Sequence, residues 1–186
     1  MTNSQAAASG MTTIQACALP IDALLSRYSR GGGYVDCYVT EVARRVSHAE
    51  YVEAFYTTAV FKAERLLLSW FVSRPSTDLQ ARELAAGEIS SFAAWSVEAR
   101  STDQVLLCDF QGRTRSWLMC ARGKGNASTG TLLYFGSAVV PAASRRSGAS
   151  GMGVLFRGLL GFHKLYSRLL LRAAASRLER YSATQK

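Results

Sequence analysis

Apolar and polar residues recur along this chain with two different periods, and the change of period divides it into elements. "YVDCYVTEV" (Tyr34–Val42) carries aromatic and β-branched residues at the density of a β-strand. Between residues 47 and 73 the apolar residues return every three or four positions, which is the helical period. From Ile89 the period falls to two, so the pattern predicts a strand, then helices, then more strands.

Start and stop signals refine the helical region. Ser47 with Glu50 three positions later has the spacing of a capping box, which predicts that a helix begins there. The pair Thr57 and Thr58 is a weak place in the run, so the pattern fits one helix or two consecutive helices. Pro75 ends the region, because proline cannot donate the next helical hydrogen bond.

Glycines mark the ends of two shorter elements. "PSTDLQARELAAG" predicts a helix that begins at Ser76 or Thr77 and ends at Gly87. Before the first strand, "IDALLSRYSRGGG" predicts a brief helical turn that ends at the glycines of positions 31–33.

Four runs of strand length follow the helices, and turn residues separate them. They are "SFAAWSVEA", "QVLLCDF", "RSWLMCAR" and "TLLYFGSAVV". Short connections favour an antiparallel meander. "PAASRRSGASGMG" is then expected to be a linker, and a long helix runs from it to about Tyr181. This order predicts an α+β fold, with helices packed on one face of a curled antiparallel sheet.

The last helix is strongly amphipathic. Its large apolar residues share about a third of the circumference; they are Leu155, Leu159, Phe162, Tyr166, Leu169, Leu170 and Ala173. The opposite side carries Arg157, Lys164, Arg168 and Arg172. A basic face also occurs on helices that lie on membranes. Burial of the apolar face contributes on the order of 10 kcal/mol, however, and this favours a core helix whose arginines face solvent.

Composition sets the class of protein. The chain has 186 residues, of which 48% are hydrophobic, and this is enough for one domain with a continuous core. We expect a disordered tail over 1–20, one domain over 21–181 and a C-terminal tail over 182–186. The four cysteines have irregular spacing and no secretory leader precedes them, so a reduced, cytoplasmic chain is expected. No stretch reaches the ~20 apolar residues that a transmembrane helix needs.

The net charge of +9 is compatible with several partners and selects none of them. A nucleic-acid partner is disfavoured, because no aromatic residues alternate with the basic residues to stack on bases. An anionic membrane surface or an acidic partner stays open through the basic C-terminal helix. "RGKGNASTG" lacks the Walker spacing and is expected to be a hairpin loop. The only histidines, His48 and His163, are far apart, and neither a metal nor a cofactor is predicted.

Five segments carry a resemblance to known proteins. They are "YVDCYVTEV", "AFYTTAVFKAERLLLSW", "DFQGRTRSWLMCA", "TLLYFGSAVV" and "LLGFHKLYSRLLLRAA". The order of elements resembles the helix-grip architecture of the START and Bet v 1-like (SRPBCC) superfamily, and the segments look like an uncharacterised bacterial family within it. Members of that family also occur behind short-chain-dehydrogenase-like domains. No such domain is recognised in this sequence, and no nicotinamide cofactor is expected.

The resemblance covers residues 34–178 and rests on patterns of aromatic and apolar residues. It implies an antiparallel sheet wrapped around a long C-terminal helix, two or three shorter helices after the first strand, and a hydrophobic cavity between sheet and helix. The chain shows fewer strands after the helices than the larger members have. The superfamily includes lipid carriers, hormone receptors, cyclases and hydroxylase domains, so the resemblance does not choose a function.

A pocket of this kind is mostly apolar, with a few converging polar groups. The residues predicted to bind a ligand are Arg115, Trp117, Tyr134, His163 and Tyr166. The candidates for acid and base roles are His163, Asp36 and Asp109.

Each candidate also has a purely structural interpretation. The sequence favours His163 as a core histidine bonded to a backbone carbonyl, and Asp36 as a solvent-facing residue or a member of an ion pair. Arg115 could grip a carboxylate or phosphate through its planar fork, but a solvated ion pair at a hairpin tip is favoured. Trp117 is expected to pack in the core.

Three hypotheses follow. The first is a protein that binds a hydrophobic or amphipathic small molecule between sheet and C-terminal helix. The second is a cofactor-independent enzyme of cyclase or isomerase type, with His163 and a carboxylate in the same pocket; it fails if His163 is sealed in the core away from every carboxylate. The third is a structural or adaptor protein with a basic surface, which a structure without a cavity would favour.

Overall fold

The computed structural model describes residues 13–30, 34–62, 77–123, 130–140 and 152–184, with the side chains of the last helix described over 163–180. The strands are β1 (Gln15–Ala16), β2 (Tyr34–Val42), β3 (Ser91–Phe92), β4 (Trp95–Arg100), β5 (Gln104–Asp109), β6 (Thr114–Arg122) and β7 (Thr131–Val139). The helices are a 3₁₀ helix (Leu24–Tyr28), α1 (His48–Tyr56), α2 (Asp78–Ala86) and α3 (Met152–Thr184).

The strands form one antiparallel sheet of seven strands, in the order β1-β2-β7-β6-β5-β4-β3. The sheet is curled and not closed, and α3 contacts β2, β7 and α1. The predicted α+β fold, the meander and the bounds of β2 are therefore confirmed. One predicted strand, "SFAAWSVEA", is divided into β3 and β4, because the chain turns at residues 93–94 with Ala93 at a φ of 52°.

The capping signals act as the sequence predicts. Ser47 and Glu50 form the capping box that begins α1, and Thr77 caps α2, which ends at Gly87 with a φ of 83°. α1 ends at Tyr56, and the Thr58 hydroxyl accepts a hydrogen bond from the Phe61 amide at 3.2 Å, in the manner of a cap for the helical turn at 59–62. Of the two alternatives, two consecutive helices is the one observed.

The two faces of the sheet bury separate cores. The larger core lies between the sheet and the helices, and the smaller core lies on the opposite face beneath the 3₁₀ helix. Because successive side chains of a strand point to opposite faces, Tyr38 enters the larger core and Cys37 enters the smaller one. The same alternation decides which residues of β6 and β7 can reach the space beside α3.

The buried face of α3 differs from the predicted stripe. Over 163–180 the buried residues are Ser167, Leu170, Leu171, Ala174, Ala175 and Leu178. Leu165 and Leu169 are 58% and 46% exposed, so the buried face is rotated by roughly a third of a turn from the prediction. The prediction gave weight to large side chains, whereas small alanines lie where the helix comes close to its neighbours. Lys164, Arg168 and Arg172 are exposed, as predicted.

Both ends of the chain depart from the predicted tails. Gln15 and Ala16 pair with Val39 and Tyr38 of β2, so residues 13–20 are part of the domain. At the other end, α3 continues to Thr184. Outside the described residues lie positions 1–12, the glycines of 31–33, the segment 63–76 with the predicted helix end at Pro75, the predicted hairpin loop over 124–129, most of the predicted linker and the last two positions. Among the residues described, no helix is both long and apolar enough to cross a bilayer.

Candidate ligand-binding cavity

A cavity of about 240 Å³ lies between the sheet and α3. Its apolar lining includes Phe55, Phe61, Phe135 and Leu170. Its polar lining includes Trp95, Asp109, Ser116, Ser137, His163, Tyr166 and Ser167. The space combines an aromatic interior with a small set of polar groups, as small-molecule sites do.

Small residues on the core-facing side of two strands create this space. Ser116 of β6 and Ser137 of β7 are direct partners in the sheet register, and both are buried. The next pair on the same face, Leu118 and Phe135, fills the corresponding volume with large side chains. Ser167 faces the same cavity from α3 and is fully buried. Serines from three elements therefore leave room where leucine or phenylalanine would close the core.

A hydrogen-bond network borders the cavity. The Ser137 hydroxyl donates to Asp36 Oδ1 at 2.5 Å and lies 2.6 Å from His163 Nε2. The Asp36 carboxylate accepts this proton, and a serine hydroxyl has only one to give. The contact to His163 must then be a donation from Nε2–H to Ser137 Oγ. His163 is consequently held in the form with a protonated Nε2, and its Nδ1 lies outside the network.

Asp36 is the centre of this network. Its side chain is only 9% exposed, and it also accepts hydrogen bonds from the Tyr34 hydroxyl at 3.1 Å and the Ser137 amide at 3.2 Å. Burial, with the negative charge of Asp36 beside it, raises the pKa of Tyr34 well above its ordinary value, so the phenol stays a donor. The Asp36 Oδ2 to His163 Nε2 distance is 3.8 Å. The Asp36 side chain is thus largely buried beside His163 and does not face solvent. The sequence favoured a backbone carbonyl as the partner of His163, whereas the structure shows the Ser137 hydroxyl in that place.

Two buried polar atoms of the cavity lining lack a hydrogen-bond partner among the described residues. They are the indole Nε1 of Trp95 on β4 and the hydroxyl of Ser167 on α3. Leaving a buried donor or acceptor unpaired costs about 1–3 kcal/mol. Both residues line a space of ligand size, so a bound molecule could supply the missing partners.

Two of the predicted ligand contacts and two of the three acid–base candidates lie at this cavity. His163 and Tyr166 line it from α3, and the His163 side chain is 27% exposed. Asp109 lines it at the end of β5, where its carboxylate also accepts the Arg113 amide at 2.7 Å. His163 is thus close to a carboxylate and open to solvent, so the condition that would exclude an enzyme is not met.

The other three predicted contacts direct their side chains to the opposite face of the sheet. Trp117 is buried in the smaller core, where its Nε1 donates to Gln104, and Tyr134 packs beside it at a ring distance of 6.3 Å. Arg115 borders the cavity, but its guanidinium donates to Glu98 at 2.6 Å and to the Tyr28 hydroxyl at 2.9 Å. The cause is strand alternation: Ser116 faces α3, so its two neighbours face away.

Sequence reasoning missed the three serines. The available signal was a small hydroxyl at a core-facing position of a strand, as in "RSWL" and "GSAV". Such a residue at a position where the alternation demands a large apolar side chain indicates either a buried hydrogen bond or a space. Here Ser116 and Ser137 do both, since Ser116 also lies 3.3 Å from the buried Tyr56 hydroxyl.

A second cavity, of about 360 Å³, lies at the other end of β6. Arg45, His48, Asp103 and Arg122 are among its lining residues. The Nε2 atom of His48 is buried without a partner among the described residues. Burial lowers the pKa of His48 from 6.5 to about 4, so the ring is neutral at pH 7.

Acid should destabilise the protein through His48. The unfolded chain binds a proton at a pKa near 6.5 and the folded chain only near 4, so this stabilisation is complete above pH 6.5 and is lost as the pH falls towards 4. Between pH 7 and 4.5, the free energy of unfolding of His48→Gln should fall by about 2 kcal/mol less than that of the original protein. Urea unfolding of both proteins at the two pH values measures this difference. Equal losses would show that His48 titrates normally in the fold.

No family model, curated protein or solved structure matches this chain. Within the described part of the chain, no three His, Cys, Asp or Glu side chains are grouped so that they could hold a metal ion.

Proposed function

We propose that this protein binds a hydrophobic or amphipathic small molecule in the cavity between the sheet and α3. The observation that carries the proposal is that two lining residues, Trp95 and Ser167, each bury a polar atom without a partner among the described residues, in a cavity whose lining also includes four phenylalanines. Each unpaired polar atom costs about 1–3 kcal/mol of stability, and a ligand with suitable polar atoms would recover part of that cost.

The volume supports a ligand of one or two rings. An apolar protein cavity of about 150 Å³ binds benzene, and pockets for drug-sized molecules begin at about 300 Å³. The 240 Å³ of this cavity lies between these values. The position of the cavity, between a curled sheet and a C-terminal helix, also supports the proposed kinship with helix-grip proteins.

Filling the cavity should abolish binding without unfolding the protein. Ala94 lines the cavity and is only 5% exposed, so Ala94→Leu adds three carbon atoms to a space that the ligand needs. We expect native mass spectrometry to show a co-purified small molecule on the original protein and at least a tenfold lower occupancy on this variant. Ala86→Leu, at an exposed position of α2, is the matched control and should keep the ligand.

The contrary result is also well defined. A ligand-free mass for the original protein, together with no thermal shift from any member of a library of one-ring and two-ring compounds, would argue against the proposal.

The Asp36–Ser137–His163 network favours a second candidate function, an enzyme of isomerase or cyclase type. A general acid or base needs a proton path and a position beside the substrate. His163 borders the cavity, and Ser137 links its Nε2 to a buried carboxylate. The Nδ1 atom has no hydrogen-bond partner among the described residues, and it would take a proton from a ligand carbon next to a carbonyl group. The C–H electron pair would form the C=C bond of an enolate while the π pair of the carbonyl moves to its oxygen, and the proton would return to another carbon of the enolate as the carbonyl re-forms.

Deuterium exchange tests this second candidate. In D₂O, the protein should accelerate exchange of the protons next to the carbonyl of 1-indanone, and His163→Gln should lower the rate at least 100-fold. Ser96→Ala, at an exposed position of β4, should leave it unchanged. Exchange at the rate of buffer alone would leave the protein as a binding protein.

A further inference from the structure

We infer that the ligand is a neutral cyclic molecule with a carbonyl oxygen, and that this oxygen accepts a hydrogen bond from Trp95 Nε1. The inference rests on the proposed function and specifies the chemistry of the molecule that the cavity takes.

The need for an acceptor comes from Trp95. An indole N–H donates and cannot accept, so only an acceptor can pair it. Trp95 lines the cavity, and its Nε1 atom is buried and has no partner among the described residues. Ser167 adds a hydroxyl from α3, which is also buried and has no partner among the described residues. A carbonyl oxygen has two lone pairs and no proton of its own, so it can accept from an indole N–H and a hydroxyl without adding a donor that needs a partner.

The charges around the cavity select a neutral acceptor over a carboxylate. Arg115 is the one lysine or arginine among the described lining residues, and its guanidinium is already bonded to Glu98. Asp109 lines the cavity and Asp36 lies behind Ser137, so the nearby carboxylates would repel an anion. Burying an unpaired carboxylate is strongly unfavourable. Arg115, with its guanidinium bonded to Glu98, is therefore not proposed to bind a ligand carboxylate or phosphate.

The apolar lining selects a ring system. Phe55 and Phe135 lie with ring centroids 4.9 Å apart, and Phe61 continues the aromatic wall. Flat rings pack against such walls in offset or edge-to-face contacts. A fused two-ring ketone such as 1-indanone combines a size suited to this cavity, a ring surface and one carbonyl group.

Three matched probes test the inference: 1-indanone, the hydrocarbon indane and the acid indane-1-carboxylate. The chain has three tryptophans, so its ¹⁵N-labelled indole N–H signals are few, and Trp95→Phe identifies the one from Trp95. We expect 1-indanone to shift the Trp95 signal and to bind about tenfold more tightly than indane, the gain of one hydrogen bond. The carboxylate should bind at least tenfold more weakly than the ketone.

Variants separate the hydrogen bond from the rest of the cavity. Trp95→Phe should lower the affinity for 1-indanone about tenfold and change the affinity for indane less than twofold. A phenyl ring keeps the apolar contact and loses the donor. Ser167→Ala is a smaller change that should also weaken 1-indanone selectively. Ser96→Ala, at an exposed site on β4, is its control and should change nothing.

The outcomes distinguish this inference from the proposed function. Equal affinity for 1-indanone and indane, with an unshifted Trp95 signal, would overturn the carbonyl assignment and leave cavity binding intact. Tighter binding of the carboxylate would overturn the requirement for a neutral ligand. Failure of all three probes, with no shift of the Trp95 signal, would contradict the cavity-binding proposal and the inference together.

Discussion

Gly136→Ala should lower the free energy of unfolding by about 3 kcal/mol, at the upper end for an overpacked core. Gly136 lies on β7 between Cys37 and Trp117 in the sheet register. A Cβ there would lie 2.9 Å from the backbone oxygen of Asp36 and 3.0 Å from Trp117 Cε3. The carbonyl is fixed in the sheet and the indole is fully buried, so neither can move aside cheaply.

Thermal unfolding measures this effect, and a second glycine provides the comparison. For a chain of this size, about 3 kcal/mol corresponds to a fall in Tm of roughly 6–12 °C. Gly112 has a φ of 70° and nothing within 4 Å of a Cβ, so Gly112→Ala carries backbone strain without a clash. That strain should cost about 1 kcal/mol. A loss for Gly136→Ala no larger than that for Gly112→Ala would show that the sheet relaxes around the added methyl group.

Asp36→Ala should lower the free energy of unfolding by about 3–4 kcal/mol, because it leaves several buried donors without an acceptor. The carboxylate accepts from Tyr34 and from both the amide and the hydroxyl of Ser137. Asp36→Asn keeps the shape of the side chain and one acceptor oxygen, so it should lower the free energy of unfolding by less than Asp36→Ala does. Tyr34→Phe removes a single hydrogen bond and should cost about 1 kcal/mol. Urea unfolding at pH 7 ranks the three variants.

The same substitution should also move a proton on His163. Without Asp36, the Ser137 hydroxyl is free to donate to His163 Nε2, and the ring proton should then reside on Nδ1. ¹⁵N NMR of the imidazole distinguishes the two forms directly. Asp36 would not organise the network if Asp36→Ala lowered the free energy of unfolding no more than Tyr34→Phe does and left the His163 tautomer unchanged.

Local signals explain why much of the fold could be predicted from the sequence. β2 carries its own strand composition, and the boxes at Ser47 and Thr77 depend only on residues three positions apart. The break after α1 was undecided, because it depends on whether Thr57 and Thr58 bond to backbone groups or point to solvent. That choice is made by packing, which brings Phe61 into the core beside Phe55.

The site was predicted less completely than the fold. The two causes are the alternation of side chains along the strands and the small size of the serines that leave the space. His163 and Tyr166 were identified because α3 was expected to face the sheet. Arg115 and Trp117 do not face α3, because the alternation along β6 directs them to the opposite face of the sheet. Trp117 packs in the smaller core, in agreement with its structural interpretation. The serines carry no chemical signature of their own, since a serine that leaves space looks like any other serine until its neighbours are known.

The short strand β1 determines how far the polypeptide can be shortened at its N-terminus. Gln15 and Ala16, with the bond from the Cys17 amide to the Cys37 carbonyl, cover the outer edge of the nine-residue β2. An uncovered strand edge presents a row of free N–H and C=O groups that can pair with another chain. A polypeptide that begins at residue 21, the predicted domain boundary, would lose Ile14, Cys17 and Leu19 from the margins of both cores and would expose this part of the edge of β2 to pairing with another chain.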